Sequence, residues 1–366
     1  MNYMGQHGKK NYLKLNNMQF NWLNKINRVR GEKFSRSKYL RLDKNERVTD
    51  FSNKFVKQIK SRINSFHLSA YPEVEKIYDL LSKTLKLPKE MIVLTSGSDM
   101  AIKLCFELFA GKNKEVITIH PTFGMVNVYA DLFRVKQKKI GYNKKLELEA
   151  EKLIRNINKK TSLIIIANPN SPTGTIINKK SFIQIIKKAY RLKVPILIDE
   201  AYFGFYGNSY INFVKKFKNV IIVRTFSKIF GLAGLRMGYI VADKKIAKNL
   251  FKFKPMYEIN SLGCLILELI LKNKKIFNKY LNEVNLGKKF FISELKKMNI
   301  ANLKTYANFI HIDLGKNKNL FTNLLKQKNI LVRKGPEVRT YENYLRITLA
   351  PKNEMKRIIN YLKKIK

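Results

Sequence analysis

The sequence predicts an α/β fold, a large domain built on a mainly parallel β-sheet followed by a smaller α+β domain. Two observations carry this expectation. Short apolar runs rich in β-branched residues alternate with helical patterns between residues 67 and 262, the rhythm of strand–helix–strand units in a parallel sheet. Four strand ends also carry polar clusters, at Gly97 to Asp99, Asn168 to Thr173, Asp199 to Tyr202 and Ser227 to Lys228, and ligands of such sheets sit beyond the carboxyl ends of the strands.

Along the chain, residues 1–38 are polar and basic, with Phe20 and Trp22 as large apolar anchors. They read as an arm or partly disordered leader. Ordered structure begins with the run from Tyr39 to Glu46, and residues 39–66 are assigned to a segment that contributes to the small domain, with weak helical periodicity from Phe55 to Asn64. His67 to Pro72 makes a turn, and residues 67–262 form the large domain. Val74, Ile77, Leu80, Leu81 and Leu85 recur at helical spacing, which predicts an amphipathic helix ended by Pro88.

Met91 to Leu94 reads as a strand that runs into Thr95-Ser96-Gly97-Ser98-Asp99, with a helix from Met100 to Phe109 behind it. In a strand–turn–helix of this kind, free backbone N–H groups at the helix start face an anion. An ordinary N-cap by Ser98 or Asp99 leaves the same pattern. Glu115 to Ile119 is the next strand, Pro121 to Phe133 a turn and helix, and Leu163 to Ala167 a strand that leads into the run Asn168 to Gly174. Ser181 to Leu192 is helical, Pro195 to Ile198 is a strand ending at Asp199, and Val220 to Val223 is another. From residue 263 to 366 the pattern changes to long helices, Cys264 to Val284 and on to Met298, with short strands at Phe309 to Leu314, Ile330 to Arg333 and Tyr344 to Thr348 and a last helix from Glu354 to Ile365. This stretch is the small domain.

Composition excludes several classes. With 366 residues, 45% of them hydrophobic, the chain buries a large core. No apolar run is long enough for a bilayer and no signal-peptide core follows the N-terminal lysines, so the expected location is the cytoplasm, with no membrane partner. Two cysteines, Cys105 and Cys264, have no metal spacing and make no disulfide framework, and no metal site is expected. Lys+Arg 73 against Asp+Glu 26 gives a net charge of +47, a field that attracts anions. The lysines are spread over the whole chain and no nucleic-acid-binding module is present, so the expectation is an anionic small molecule and no specific nucleic acid.

Lys228 stands where the buried run Ile221-Ile222-Val223 ends, flanked by Phe226, Ile229 and Phe230. A lysine so placed is partly desolvated, its neutral amine is favoured, and it attacks a carbonyl to form a Schiff base. Taken alone, it is one lysine in a chain with very many.

Further segments stand beside it: Leu42 to Glu46, Ala70-Tyr71-Pro72-Glu73, Ser96 to Asp99, Pro121 to Met125, Asn168 to Gly174, Asp199 to Tyr202, Thr225 to Gly238 and Leu345-Arg346-Ile347-Thr348. In these, and in their order, the chain resembles the pyridoxal-phosphate enzymes of aspartate-aminotransferase fold (fold type I, class I/II), and within them the histidinol-phosphate aminotransferase family. The resemblance runs from about Tyr39 to the end. It implies pyridoxal 5'-phosphate as cofactor and Lys228 as the catalytic lysine that holds it.

Further roles follow from the same resemblance. Asp199 keeps the cofactor's ring nitrogen protonated, as an electron sink requires, and the Tyr202 hydroxyl meets its phenolic oxygen, with Asn170 or Ser171 sharing that contact. Ser171 stands where asparagine is common in the family. Phe123, often tyrosine in relatives, stacks on the ring. Gly97, Ser98, Asp99, Ser227 and Arg236 hold the phosphate, the arginine because bidentate guanidinium–phosphate contacts are strong and directional. Tyr71 reaches that phosphate from a neighbouring subunit, which implies a homodimer with shared sites. Arg346 and Arg333 grip the acidic group of the substrate, and Tyr257 and Asn45 complete the substrate side. The segment Pro255 to Ser261 departs from the family by placing Glu258 there, an acid that could select a different amine or alcohol substrate.

The implied activity is ping-pong transamination between an anionic amino compound, with histidinol phosphate the nearest named one, and a 2-oxo acid such as 2-oxoglutarate. Decarboxylation of a phosphorylated amino acid, or transamination of a phosphonate or a cell-surface precursor, are alternatives on the same fold. A nucleic-acid-binding or regulatory protein that keeps only the fold is another.

Overall fold

The computed structural model describes residues 31–365 apart from 112 and 337, together with residues 23, 24, 26 and 28. Most of the arm expected over residues 1–38, with Phe20 and Trp22, lies outside the described residues. The strands are β1 (Leu40–Arg41), β2 (Ile92–Thr95), β3 (Glu115–His120), β4 (Lys136–Gly141), β5 (Thr161–Ala167), β6 (Ile196–Asp199), β7 (Val220–Thr225), β8 (Gly238–Val241), β9 (Phe309–Asp313), β10 (Ile330–Leu331), β11 (Arg333–Lys334) and β12 (Tyr344–Thr348).

Seven of them form the central sheet in the order β2-β8-β7-β6-β5-β3-β4. Pairings from β7 through β6, β5 and β3 to β4 are parallel, and β8 runs antiparallel to both β2 and β7. The sheet is therefore mainly parallel, as expected. Successive side chains of its central strands enter opposite cores: Ile164, Ile166, Ile196, Ile198 and Ile222 on one face, Leu163, Ile165, Leu197, Ile221 and Val223 on the other. That parity of two explains why these strands read as continuous apolar runs, since both faces are covered.

Helix Lys179–Arg191 shows how the cover is built. The Asn178 side chain accepts from the Ser181 N–H at its start, and Phe182, Ile185, Ile186 and Ala189 are buried along one stripe, the spacing of an amphipathic helix. Each large side chain there stabilises by about 1.5–3 kcal/mol relative to exposure. Helices Glu75–Leu85 and Ser261–Lys272 cover the same face, and Gly97–Phe109, Gly124–Leu132 and Lys244–Phe253 the other.

In the smaller unit, β11-β12-β9 is an antiparallel sheet and β1 pairs parallel with β10. Its core joins Leu42, Ile310, Ile312, Leu345 and Ile347 to Tyr280, Phe291 and Leu295 of helix Lys275–Lys297 and to Ile358 of helix Lys352–Leu362. Phe55, by contrast, is buried in the core of the large sheet. The long helical pattern after Gly263 divides at Asn273 and Lys274: Leu267 and Ile270 before it pack on the large sheet, Tyr280 and Val284 beyond it on the small one. No helix among the described residues is long and apolar enough to cross a membrane.

Strands β1, β4 and β8 and helices Ala150–Asn156, Lys244–Phe253 and Lys318–Gln327 go beyond the sequence expectation. In β4 only Ile140 is buried, because it is an edge strand whose lysines face outward and erase the apolar signal.

Candidate active site

The ends of β2, β5, β6 and β7 converge, and each contributes polar side chains. Beyond β2, Ser96 forms no side-chain cap on helix Gly97–Phe109, and Asp99 instead accepts from the Tyr129 hydroxyl at 2.9 Å. Gly97 has φ +79°, and a Cβ there would lie 2.8 Å from Arg236 Nη2. The missing side chain is thus what admits the guanidinium to the helix start, where uncapped amides and the positive end of the helix already favour an anion. Arg236 is exposed, with Nη1 donating to Ala233 O at 3.3 Å.

Beyond β7, the Thr225 hydroxyl donates to Ser227 Oγ at 2.9 Å and accepts the Ser227 N–H at 3.1 Å. Two residues thereby set the hydroxyl beside Lys228. Lys228 Nζ donates to Lys44 O at 3.1 Å and lies 5.7 Å from the centre of the Tyr202 ring.

Asp199 closes β6, buried, its Oδ1 accepting the Ala201 N–H at 2.9 Å. Burial pushes its carboxyl up to about 6, against the pull of that N–H and of the Lys228 charge. The next residue, Glu200, is held by Arg224 of β7, with Nε and Nη2 donating to one carboxylate oxygen at 3.0 and 2.9 Å. This buried pair ties β6 to β7 directly behind Asp199, and sequence reasoning overlooked it although Arg224 interrupts an otherwise apolar strand. The Tyr202 hydroxyl accepts from Asn45 Nδ2 at 3.0 Å, and its ring meets Phe309 edge-on at 5.5 Å. Asn45 is in turn fixed by its N–H to Thr348 Oγ1 at 3.1 Å and by Asn308 Nδ2 on its carbonyl at 3.1 Å.

Beyond β5, Asn170 is buried, and its Nδ2 donates both to Pro121 O at 3.0 Å and to Thr173 Oγ1 at 2.8 Å. Both amide hydrogens are thus committed within the protein, and the half-buried Ser171 follows on the same turn. Phe123, 37% exposed, begins helix Gly124–Leu132.

On the small-domain side, Arg346 is buried, with Nη2 donating to Asp43 O at 2.5 Å and its guanidinium 5.3 Å over the Phe309 ring. Arg333 stands opposite it in the β11–β12 register and is exposed. Tyr257 stacks on Tyr71, centres 4.0 Å apart at 19°, both well exposed. Glu258 turns inward to Lys254 at 3.6 Å, with 6% and 7% of the two side chains exposed, and burial raises its carboxyl against the Lys254 charge. Among the described residues, no group of three His, Cys, Asp or Glu could hold a metal ion.

The chain matches the family model described as aminotransferase class I and II over residues 33–362. It is 32% identical over 332 residues to the histidinol-phosphate aminotransferase of Caldanaerobacter subterraneus subsp. tengcongensis, an alignment that covers 89% of this chain and 92% of that one. The crystal structure of the histidinol-phosphate aminotransferase from Clostridium acetobutylicum superposes with a TM-score of 0.80 at 26% identity, over 89% of this chain and 98% of that one. The histidinol-phosphate aminotransferase from Sinorhizobium meliloti, solved in complex with pyridoxal-5'-phosphate, gives a TM-score of 0.83 over 95% and 97%; at 20% identity that likeness is one of fold.

Proposed function

This chain belongs to the aminotransferase class I and II family, and we propose that it uses pyridoxal 5'-phosphate to move an amino group from an anionic amino compound of the histidinol-phosphate type to a 2-oxo acid such as 2-oxoglutarate. The observation that carries this reading is the convergence of Lys228, Asp199 and Tyr202 beside the Gly97 helix start with Arg236 upon it.

The residues fit that cofactor. Room for the Arg236 guanidinium over uncapped amides suits a phosphate, and Ser227 stands at the end of the neighbouring strand. A buried carboxyl at the end of β6 suits a ring nitrogen that must stay protonated. When bound, the cofactor supplies a cationic ring that draws electron density from the substrate carbon bearing the amine. Asp199 would keep that ring nitrogen protonated, and the Tyr202 hydroxyl, held by Asn45 Nδ2 at 3.0 Å, would meet the phenolic oxygen. Ser171 or Asn170 would share that contact. Lys228 Nζ would hold the cofactor and, as a free amine, would move the proton at the substrate carbon. Phe123 would cover the ring face.

Arg346 and Arg333, neighbours across β12 and β11, make a paired guanidinium site for a carboxylate in one half-reaction and a phosphate or carboxylate in the other. The stacked Tyr71 and Tyr257 rings, with Phe66, Leu68 and Met256 exposed nearby in sequence, support a homodimer in which Tyr71 completes the phosphate site of the other copy.

Amino donors added singly to the loaded protein should convert its absorbance band, with histidinol phosphate and glutamate the most effective. Initial rates with both substrates varied should give parallel double-reciprocal lines; intersecting lines, or release of carbon dioxide without amino transfer, would sink the reading.

A further inference from the structure

The turn that follows β5 is fastened to both parts of the molecule. On the large-domain side, the Asn168 N–H donates to Asp199 O at 2.9 Å, Asn168 Oδ1 accepts the Ile177 N–H at 2.9 Å, and Asn170 Nδ2 reaches Pro121 O. On the other side, His311 Nε2 lies 2.6 Å from Pro172 O, and the Tyr306 N–H donates to Gly174 O at 2.8 Å. Gly174, with φ +77°, has no room for a side chain, since a Cβ would lie 2.5 Å from Thr305 Oγ1. Residues 172–174 are therefore gripped by the small domain within a turn whose other end is fixed to the strand end that carries Asp199.

His311 is the side chain in that grip. A carbonyl oxygen only accepts, so the shared proton sits on Nε2 and Nδ1 is bare, and Nδ1 has no partner. The imidazole is fully buried, and burial, with Arg346 beside it, pushes its pKa down to about 3. It stays neutral across the working range and keeps its donor toward Pro172. In the β9–β12 register His311 is also the cross-strand partner of Arg346, so both side chains leave the sheet on one face, at the separation that directly opposed strand residues keep.

We propose that His311 is a positioning residue: by donating to Pro172 O it ties the strand pair bearing Arg346 to the cofactor-side turn, and so sets the distance between the substrate's anion clamp and the Lys228 amine. The kinetic part of this proposal rests on the aminotransferase reading; the structural part does not. A residue in this role alters how well the substrate is held while leaving the proton-transfer groups in place, and it differs from an acid or base in having no reason to move the pH profile.

The test uses His311→Leu, which removes the donor, and His311→Gln, whose amide nitrogen reaches the place of Nε2. In the cofactor-free full chain, hydrogen exchange at the Gly174 and Tyr306 amides should quicken by about tenfold or more in His311→Leu and return near wild type in His311→Gln. In the loaded enzyme, KM for the amino donor should rise by about tenfold in His311→Leu with kcat within about threefold and an unchanged pH profile, and His311→Gln should recover it. Should His311→Leu fail to fold, His311→Asn, whose amide falls short of Pro172 O, takes its place with the same expected result. Unchanged exchange, equal impairment of the Gln variant, or a fall in kcat with a shifted pH profile would overturn the proposal. Failure of the wild type to convert any amino donor would instead sink the functional reading and leave the exchange result standing.

Discussion

Arg236 Nη2 lies 2.8 Å from the point that a Cβ on Gly97 would occupy, so the glycine and the guanidinium define one space between them. Gly97→Ala would meet two obstacles, the φ of +79° and the guanidinium itself. The backbone alone costs about 1 kcal/mol, and relief of the clash moves Arg236 away from the helix start. The expected outcome is a chain that folds with a melting temperature lowered by a few degrees and a cofactor affinity weaker by about tenfold or more, as loss of one charge-assisted contact requires. Equilibrium titration followed by fluorescence reads the affinity, and wild-type binding by the alanine variant would refute a phosphate site between Gly97 and Arg236.

Asp199 gives a pH dependence whose sign is fixed. Its carboxyl is raised from 3.8 to about 6 by burial in the cofactor-free chain, so the folded state holds a proton that the unfolded state has released. Stability then falls as pH rises between those values, and above them the chain carries a constant penalty of roughly 3 kcal/mol. Asp199→Asn escapes the penalty. Cofactor-free Asp199→Asn should melt above wild type at pH 7.5, with the gap narrowing as pH falls toward 5, whereas bound pyridoxal phosphate should favour the wild type because its cationic ring pairs with the carboxylate. A gap that is flat with pH would show that Asp199 is not desolvated as its surroundings imply.

These two features differ in how plainly the sequence displays them. Asp199 was legible because it ends an unbroken apolar strand, and Lys228 because it stands a few residues past the apolar run Ile221 to Val223; a parallel sheet buried on both faces prints itself as β-branched runs, and polar residues gathered beyond the ends of such runs mark the place where a ligand sits. Arg224 and His311 were not, since a charge within a strand and a histidine alternating with apolar neighbours look ordinary until the partner, Glu200 or Pro172 O, is brought across from distant sequence. Edge strand β4 vanished for the opposite reason, its lysines being the solvent face. Glu258 was visible, but its direction was not: Pro255 to Ser261 has no periodicity from which inward and outward could be told, and the carboxylate proves to face Lys254.

That orientation predicts the behaviour of Glu258→Ala. Removing the acid strands a lysine whose side chain is 7% exposed, at a cost of about 1–3 kcal/mol or somewhat more for a charged group. The melting temperature should fall by several degrees, and Lys254→Met in the same chain should restore most of the loss. Because the carboxylate does not stand with Tyr257 on the surface, the ranking of amino donors by kcat/KM should stay as it is. A reordered ranking with stability unchanged would return Glu258 to the substrate side.

The pairing of Tyr71 with Tyr257 leads to the sharpest test of shared sites. Tyr71 is 72% exposed while stacked at 4.0 Å on its neighbour, an expensive way to leave an aromatic surface unless a second copy covers it. If Tyr71 serves the other subunit, a Lys228→Ala chain and a Tyr71→Ala chain are complementary. The first lacks the amine and should lose about 10²–10⁴-fold or more in rate, and the second should bind cofactor more weakly. In a mixed dimer, the lysine of the Tyr71→Ala chain faces the intact tyrosine of the Lys228→Ala chain, so one of the two sites is wild type in every respect. Refolding the two together should therefore raise kcat/KM above that of either chain alone at limiting cofactor, while each chain refolded by itself stays impaired. Activity that is only the average of the two parents would mean that Tyr71 acts within its own subunit or not at all.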